Sequence, residues 1–253
     1  MVKPKKFLGQ HFLRDLNTAA KIVDAFRPGS CKVVEIGPGT GVLTKLLVEK
    51  NFKPVLFEID DESVAWLQDH FTMDQVDVRH VDFLEAGFED LPDPTISVIG
   101  NLPYNISSQI FFKILESRNR VNHVVCMIQK EVAQRIAAPP GGRTCGILSI
   151  LIQAFYEVEM LFHVSPGAFH PPPKVMSSVI RLTRNQTSRL SCDEDLFFKV
   201  VKRSFQNRRK TLRNALKDLN LSPTVYSLSI MDKRAEQLSV SDFVQLIQQI
   251  ERS

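Results

Sequence analysis

Three short segments of the chain carry residue types whose spacing suits chemistry. Gly37-Pro38-Gly39-Thr40-Gly41 follows the apolar run Lys32 to Ile36 directly. Glycines there permit a tight turn and let the backbone approach a ligand without a Cβ clash. The spacing is Gly-x-Gly-x-Gly, not the Gly-x-Gly-x-x-Gly of a dinucleotide fingerprint, and Pro38 removes one N–H donor. A ligand without phosphates is favoured. Glu58 closes the next apolar run, where an acid typically accepts hydrogen bonds from ribose hydroxyls. Asp82 stands at the end of a third, beside Phe83. Glycine loop, acid and acid on successive strand ends describe a nucleoside pocket, and S-adenosyl-L-methionine, with a ribose, an adenine and no phosphate, meets those constraints.

The fourth run ends in Gly100-Asn101-Leu102-Pro103-Tyr104-Asn105. An Asn-x-Pro-aromatic element suits methyl transfer to an exocyclic amine. The lone pair of such an amine is delocalised into its ring, so attack requires the nitrogen to pyramidalise, and neutral acceptors holding its two hydrogens favour that geometry. Asn101 Oδ1 and the Leu102 backbone carbonyl are the candidate acceptors. Pro103 stiffens the loop, and Tyr104 is placed to stack on a flipped base. No general base is required, because the methylated nitrogen loses its proton readily.

These residues need a scaffold that gathers strand ends. Apolar runs over Lys32 to Ile36, Val55 to Ile59, Val76 to Val81, Ile96 to Ile99 and Val124 to Ile128 read as strands, with helical spacing over Leu43 to Glu49 and Glu62 to His70 between them. That alternation predicts an α/β fold with a doubly wound, Rossmann-like parallel sheet. A short segment at Met160 to Val164 and an alternating strand at Ser178 to Leu182 predict an antiparallel finish. Thr183 to Ser191 reads as a linker. Asp195 to Ser204, Arg209 to Leu219, Lys233 to Leu238 and Ser241 to Ile250 read as helices, the last with Ser241 as its N-cap. The expected division is a methyltransferase domain over 1–186 and a small all-helical, RNA-binding domain over 187–253.

Composition narrows the class. The chain has 253 residues, 43% of them hydrophobic and 24% charged, which is the globular average. Its longest apolar run, near Ile147 to Ile152, is too short to span a bilayer, so no membrane partner is expected. Cys31, Cys126, Cys145 and Cys192 form no Cys-x-x-Cys pair, and the six histidines never fall at His-x-x-x-His spacing, so no metal is expected. Reduced thiols and the lack of a leader pattern point to the cytoplasm. Between Lys199 and Lys217 there are eight Lys and Arg and no acid, although the whole chain is only +4. A cationic stretch in an otherwise slightly acidic chain is the footprint of a polyanion partner.

Taken together, the chain resembles the KsgA family of small-subunit ribosomal RNA adenine dimethyltransferases, relatives of the erythromycin-resistance methylases. The segments that carry the likeness are Phe7 to Leu13, Glu35 to Gly39, Asn101 to Ser107, Gln129 to Ala133, Phe169 to Val175 and Arg208 to Asn214. The resemblance implies S-adenosyl-L-methionine as cofactor, with contacts from His11, Leu13, Gly37, Glu58, Asp82 and Asn101. It implies catalytic roles for Asn101, Leu102 and Tyr104, with Phe169 as a second stacking face on the target base. The family often has Asn where this chain has His11. The implied reaction is dimethylation of the N6 amino groups of two adjacent adenosines in the 3′-terminal hairpin of 16S RNA during 30S biogenesis. The implied partners are small-subunit RNA and the immature small subunit, met by a monomer. Lys130 reads as a phosphate contact and the Arg208 to Arg213 cluster as an RNA footprint, with a structural helix face as the competing reading. Two alternatives stay open on the residues alone: a non-catalytic RNA-binding assembly factor, and a resistance-type methylase of large-subunit RNA.

Overall fold

A computed structural model describes residues 2–253. The first half alternates as expected: β1 (Phe12–Leu13), α1 (Leu16–Ala25), β2 (Lys32–Ile36), α2 (Val42–Glu49), β3 (Val55–Glu58), α3 (Asp61–His70), β4 (Asp77–His80), α4 (Phe83–Ala86), β5 (Ile96–Asn101), α5 (Ser107–Glu116) and β6 (Val121–Gln129). The second half holds α6 (Lys130–Ile136), α7 (Ile147–Gln153), β7 (Tyr156–Val164), β8 (Phe169–His170) and β9 (Ser177–Arg184), then α8 (Glu194–Gln206), α9 (Leu212–Ala215), α10 (Pro223–Tyr226) and α11 (Val240–Glu251).

Seven strands form one sheet in the order β4-β3-β2-β5-β6-β9-β7. The five strands from β4 to β6 are parallel, and β9 adds antiparallel to β6. Crossovers through helices force parallel pairing, and they bury both faces of the central strands. Val34, Val98, Ile99, Val124 and Val125 are fully enclosed, which is why β2, β5 and β6 read as continuous apolar runs. Every strand of the parallel set therefore delivers its carboxyl end to the same edge. A separate two-stranded pair joins β1 to β8, with Phe12 opposite His170 and Leu13 opposite Phe169.

The chain falls into two compact units. The first runs to Ala133 and resumes over Val158–Arg184; the second comprises Gln134–Glu157 and Asn185–Ser253. The second unit thus takes in residues 134–157, ahead of the 186/187 division expected from composition, because the apolar stretch there forms α7, which packs with α8 and α11. In α8, the Asp193 carboxylate accepts from Leu196 N at 2.7 Å to cap the helix, and Phe197, Val200, Val201, Ser204 and Phe205 form its buried stripe.

Local readings beyond Ser191 need three corrections. The N-cap of α11 is Ser239, whose hydroxyl accepts from Asp242 N at 3.1 Å while Asp242 Oδ2 accepts from Ser239 N at 2.8 Å. A reciprocal capping box outcompetes Ser241, which lies inside the helix. Arg209 to Leu219 is not one helix: a bridge between Thr211 and Arg234 holds the chain extended, so α9 begins only at Leu212, and a 3-10 turn follows over Lys217–Leu219. Lys233 to Leu238 likewise holds only a 3-10 turn at Ala235–Gln237. No helix among the described residues is long and apolar enough to cross a membrane.

Gly100 sits where β5 passes close to the end of β2. A Cβ there would lie 2.6 Å from the Ile36 carbonyl oxygen, which is backbone and cannot swing away. Gly100→Ala is expected to cost about 1–3 kcal/mol, the range for overpacking a filled core. Urea titration should show a lower midpoint for it and no change for Gly142→Ala, whose added methyl meets nothing within 4 Å. An unshifted midpoint for Gly100→Ala would mean that the two strands can part without cost.

Candidate active site

The cleft at the carboxyl edge of the sheet is walled by the loop after β2, the ends of β3 and β4, the loop after β5, and the N-terminal segment Leu8 to Phe12. Its lining includes His11, Gly37, Gly39, Glu58, Asp82, Asn101, Leu102 and Tyr104. Eight of the residues singled out by sequence, His11 through Tyr104, meet there or adjoin it. Leu13 and Phe169 do not line it. In the β1–β8 pair both side chains turn into the apolar core, at 5% and 4% exposure, alongside Ile22, Val164 and Val179. Phe12, which sequence reasoning passed over, faces the cleft instead.

The glycine loop is built to exclude a Cβ. Gly37, Gly39 and Gly41 have φ of +66°, +56° and +75°, where L side chains are strained. A Cβ on Gly39 would lie 2.8 Å from the Phe12 ring. The loop's donors are already engaged: Gly37 N donates to Phe57 O at 3.0 Å, Gly41 N to Pro38 O at 2.9 Å, and Gly39 N to Glu58 Oε2 at 3.0 Å. Pro38 has no N–H. A nest of free amides for a pyrophosphate is therefore missing from this loop.

Glu58 is buried, at 5% exposure. Its Oε1 accepts from Ile59 N and Asp60 N, both at 2.9 Å. Burial raises its pKa above the usual carboxylate range, and the three backbone N–H groups pull the other way. A carboxylate has about four acceptor positions, so Oε2, holding only Gly39 N, retains one for a ribose hydroxyl. Asp82 Oδ1 caps α4 by accepting from Leu84 N at 2.8 Å. The lining holds two carboxyl groups and neither Lys nor Arg. That charge set suits a cationic nucleoside and repels a phosphate, so the residues fit S-adenosyl-L-methionine.

The N-terminal segment is fastened over this cleft. Lys5 pairs with Asp60 and lies 3.5 Å from Glu62, and Gln10 Nε2 reaches Asp60 Oδ2 at 3.4 Å. Burial works against ionised Asp60, but the bonds from Lys5, Ser63 and Gln10 hold its pKa below the usual range. His11 Nδ1 donates to Pro171 O at 2.8 Å, and the His11 ring lies 5.3 Å from that of Tyr104.

The reacting loop is oriented from three sides. Asn101 Nδ2 donates to His11 O at 2.8 Å. Flipping that amide would set two oxygens together, so Oδ1 is the end left for the cleft. Leu102 N donates to Met127 O at 3.0 Å, tying the loop to β6. The Tyr104 hydroxyl is held by the hydroxyl of fully buried Ser177, the first residue of β9, and burial raises the phenol's pKa. Ser177 carries no local sequence signal; only sheet pairing brings it to Tyr104. Lys130 opens α6, half-buried, with its N–H on Met176 O at 2.9 Å.

In the second unit the basic cluster divides. Arg208 Nη2 donates to the carbonyls of Arg143 at 2.5 Å and Cys145 at 2.8 Å, and Arg213 holds Asp232 Oδ1 at 2.8 Å and Tyr226 O at 2.6 Å. These two side chains tie the unit together and stay partly exposed. Arg209 and Lys210 are exposed on the turn after α8.

A doubly wound sheet, a phosphate-free nucleoside cleft on its carboxyl edge and an amide oxygen aimed into that cleft define a methyltransferase that uses S-adenosyl-L-methionine. Comparison with known proteins narrows the class. The family model for ribosomal RNA adenine dimethylase matches residues 1–252, and the chain belongs to that family. It is 52% identical to the ribosomal RNA small subunit methyltransferase A of Cytophaga hutchinsonii over 248 residues, 97% of this chain and 96% of that one. It is 51% identical to the protein of the same name from Bacteroides thetaiotaomicron, covering 100% and 96%. Among solved structures, a dimethyladenosine transferase from Plasmodium falciparum aligns with a TM-score of 0.80 at 26% identity, covering 96% and 98%. The 23S rRNA methyltransferase ErmE aligns with a TM-score of 0.68 at 23% identity, covering 94% and 99%, a likeness of fold.

One buried group beside the loop had no assigned role. Glu35, 1% exposed at the end of β2, accepts from Thr44 Oγ1 at 2.7 Å, stapling strand to helix around the glycine turn. Burial raises its pKa from 4.5 to about 8, with Glu58 adding to the shift. The folded state therefore keeps a proton that the unfolded state releases, and stability falls as pH rises from 4.5 to about 8, then levels. Glu35→Gln keeps the acceptor and removes that titration. Its urea midpoint should gain on the parent between pH 5 and pH 8; parallel midpoints would show that Glu35 ionises freely.

Proposed function

We propose that the protein transfers methyl groups from S-adenosyl-L-methionine to the N6 amino groups of two adjacent adenosines in the 3′-terminal hairpin of 16S ribosomal RNA during 30S subunit biogenesis. The observation that carries the reading is the Asn101 amide, locked by the His11 carbonyl so that its oxygen is offered to the cleft. The proposal has the enzyme act as a monomer, without a metal or a membrane, on the immature small subunit in the cytoplasm.

When bound, S-adenosyl-L-methionine supplies a sulfonium methyl that is electrophilic toward a neutral amine. Glu58 and Asp82 would hold hydroxyl and amino donors of the nucleoside, Gly37 and Gly39 would admit it to the backbone, and Phe12, Phe57 and Phe83 would enclose it. His11 and Leu13 contribute main-chain atoms, since the side chain of Leu13 faces the core. Asn101 Oδ1 accepts one hydrogen of the target amine and the Leu102 carbonyl the other, drawing the nitrogen lone pair out of the ring plane. Tyr104, pinned by Ser177, stacks on the extruded base and aligns it. Phe169, covered in the core, serves as the second stacking face after a side-chain rotation that base entry would drive. The new methyl–nitrogen bond would replace the methyl–sulfur bond, leaving a neutral thioether; the nitrogen's positive charge would be lost with its proton to water, and preorganised dipoles facing that charge would lower the barrier.

Methyl transfer from tritiated cofactor to undermethylated small subunits tests the reading. Asn101→Ala should lose at least about 100-fold in kcat, the scale for one oriented dipole at a reacting centre, while retaining a native thermal midpoint. Undiminished turnover would remove the acceptor role, and labelling of free large-subunit RNA in place of small subunits would favour the resistance-type alternative.

Arg209 and Lys210 are the cluster members best placed for phosphates. Arg209→Gln with Lys210→Gln should flatten the salt dependence of RNA binding by roughly one unit of slope per charge removed. Arg213→Gln should instead lower the unfolding midpoint. A slope unchanged by the double substitution would mark that turn as a solvated surface.

A further inference from the structure

Six large apolar side chains among the described residues are well exposed: Phe7, Leu16, Ile59, Met73, Val175 and Met176. Ile59 lines the cleft, and three others adjoin in sequence residues that form or brace its wall. Phe7, 77% exposed, directly precedes the wall of Leu8, Gly9 and Gln10. Val175 and Met176, 45% and 40% exposed, directly precede Ser177, the anchor of Tyr104. Single exposed apolar residues are ordinary, whereas several on segments that flank one cleft point to an interaction surface.

Both flanks are held by anchored backbone. On one side Lys5 grips Asp60 and Lys3 N donates to Glu62 Oε2 at 3.3 Å. On the other, Met176 O accepts from Lys130 N at 2.9 Å and Ser177 is in register with Gln129. The apolar side chains are thus presented to solvent by a rigid frame.

Charge identifies the occupant. Neither Val2 to Phe12 nor Phe169 to Ser178 contains an Asp or Glu. Lys3, Lys6 and Lys174 are exposed on these flanks, while Lys5 is neutralised by Asp60 and Glu62. Cations beside apolar and aromatic side chains match unpaired nucleic acid, which offers both phosphates and bare base faces; a duplex hides the latter.

Resting on the proposed function, we infer that the Lys6–Phe7 and Lys174–Met176 flanks are the platform for unpaired nucleotides on either side of the target adenosine. Phe7, Val175 and Met176 pack on bases, and Lys6 and Lys174 meet phosphates. The surface extends recognition beyond the flipped base, holding open the strand from which it was drawn.

Two variants, Phe7→Ser and Val175→Ser with Met176→Ser, test this with the full chain, undermethylated small subunits and a target hairpin with unpaired loop adenosines. Each should weaken hairpin binding about tenfold, the scale of losing one base-stacking contact, with the salt slope and the calorimetric affinity for S-adenosyl-L-methionine unchanged. Lys6→Gln and Lys174→Gln should flatten the salt slope. Wild-type hairpin affinity in both apolar variants, an equal loss on a blunt duplex, or a parallel loss of cofactor affinity would each overturn the inference. A parent enzyme that leaves small subunits unmethylated would overturn the proposed function instead.

Discussion

The hydrogen bond from Asn101 Nδ2 to the His11 carbonyl is the constraint on which the site depends. An amide side chain is ambiguous: either end can face a ligand, and only the oxygen can accept an amine hydrogen. The ambiguity is removed from a distance of 90 residues by a carbonyl that is itself fixed in place. His11 is fixed because its ring donates to Pro171 and because β1, which begins next to it, pairs with β8. Segments from the start, middle and later part of the first unit thus converge on the orientation of one side chain. That orientation is set before any substrate arrives, which is what preorganised catalysis requires.

The same logic explains the cleft's charge. In this loop the glycine N–H groups satisfy Phe57, Pro38 and Glu58, so the turn is a shaped wall with few free donors. A carboxylate buried like Glu58 is costly unless hydrogen-bonded; the loop supplies one of its bonds through Gly39 N, and Ile59 N and Asp60 N supply the others. Its remaining acceptor capacity, with that of Asp82, is then the main polar feature offered to a nucleoside. Glycine turn and acid are thus coupled through the Gly39 bond.

Much of this was legible in the sequence because the relevant signals are local. Apolar runs ended by Gly37, Glu58, Asp82 and Asn101 locate the strand ends, and parallel topology then assembles them at one edge without further information. What escaped was non-local. Phe12 and Leu13 are neighbours in chain, and only the pairing of β1 with β8, more than 150 residues on, decides that Phe12 faces the cleft and Leu13 the core. Ser177 meets Tyr104 through sheet register. Arg208 and Arg213 look like solvent-facing cations in a basic run, but Arg208 reaches the carbonyls of Arg143 and Cys145, far from it in sequence, and Arg213 that of Tyr226. Ser241 and Ser239 are equally good caps by type; Asp242, three residues after Ser239, settles the choice.

Neutral acceptors, and not a base, also suit a reaction that must occur twice on one nitrogen. On the roles proposed for Asn101 and Leu102, the amine in the first transfer brings two hydrogens to Asn101 Oδ1 and the Leu102 carbonyl. In the second it brings one hydrogen and one methyl group, so one acceptor suffices to pyramidalise it, and the other has only to tolerate a carbon neighbour. A general base would need to shed its proton between rounds, whereas a carbonyl carries nothing forward. After the second transfer no N–H remains, and both oxygens face an apolar group where water would serve them better. The groups that hold the substrate have no grip on the product, so the arrangement that aligns the amine also favours its departure once dimethylated.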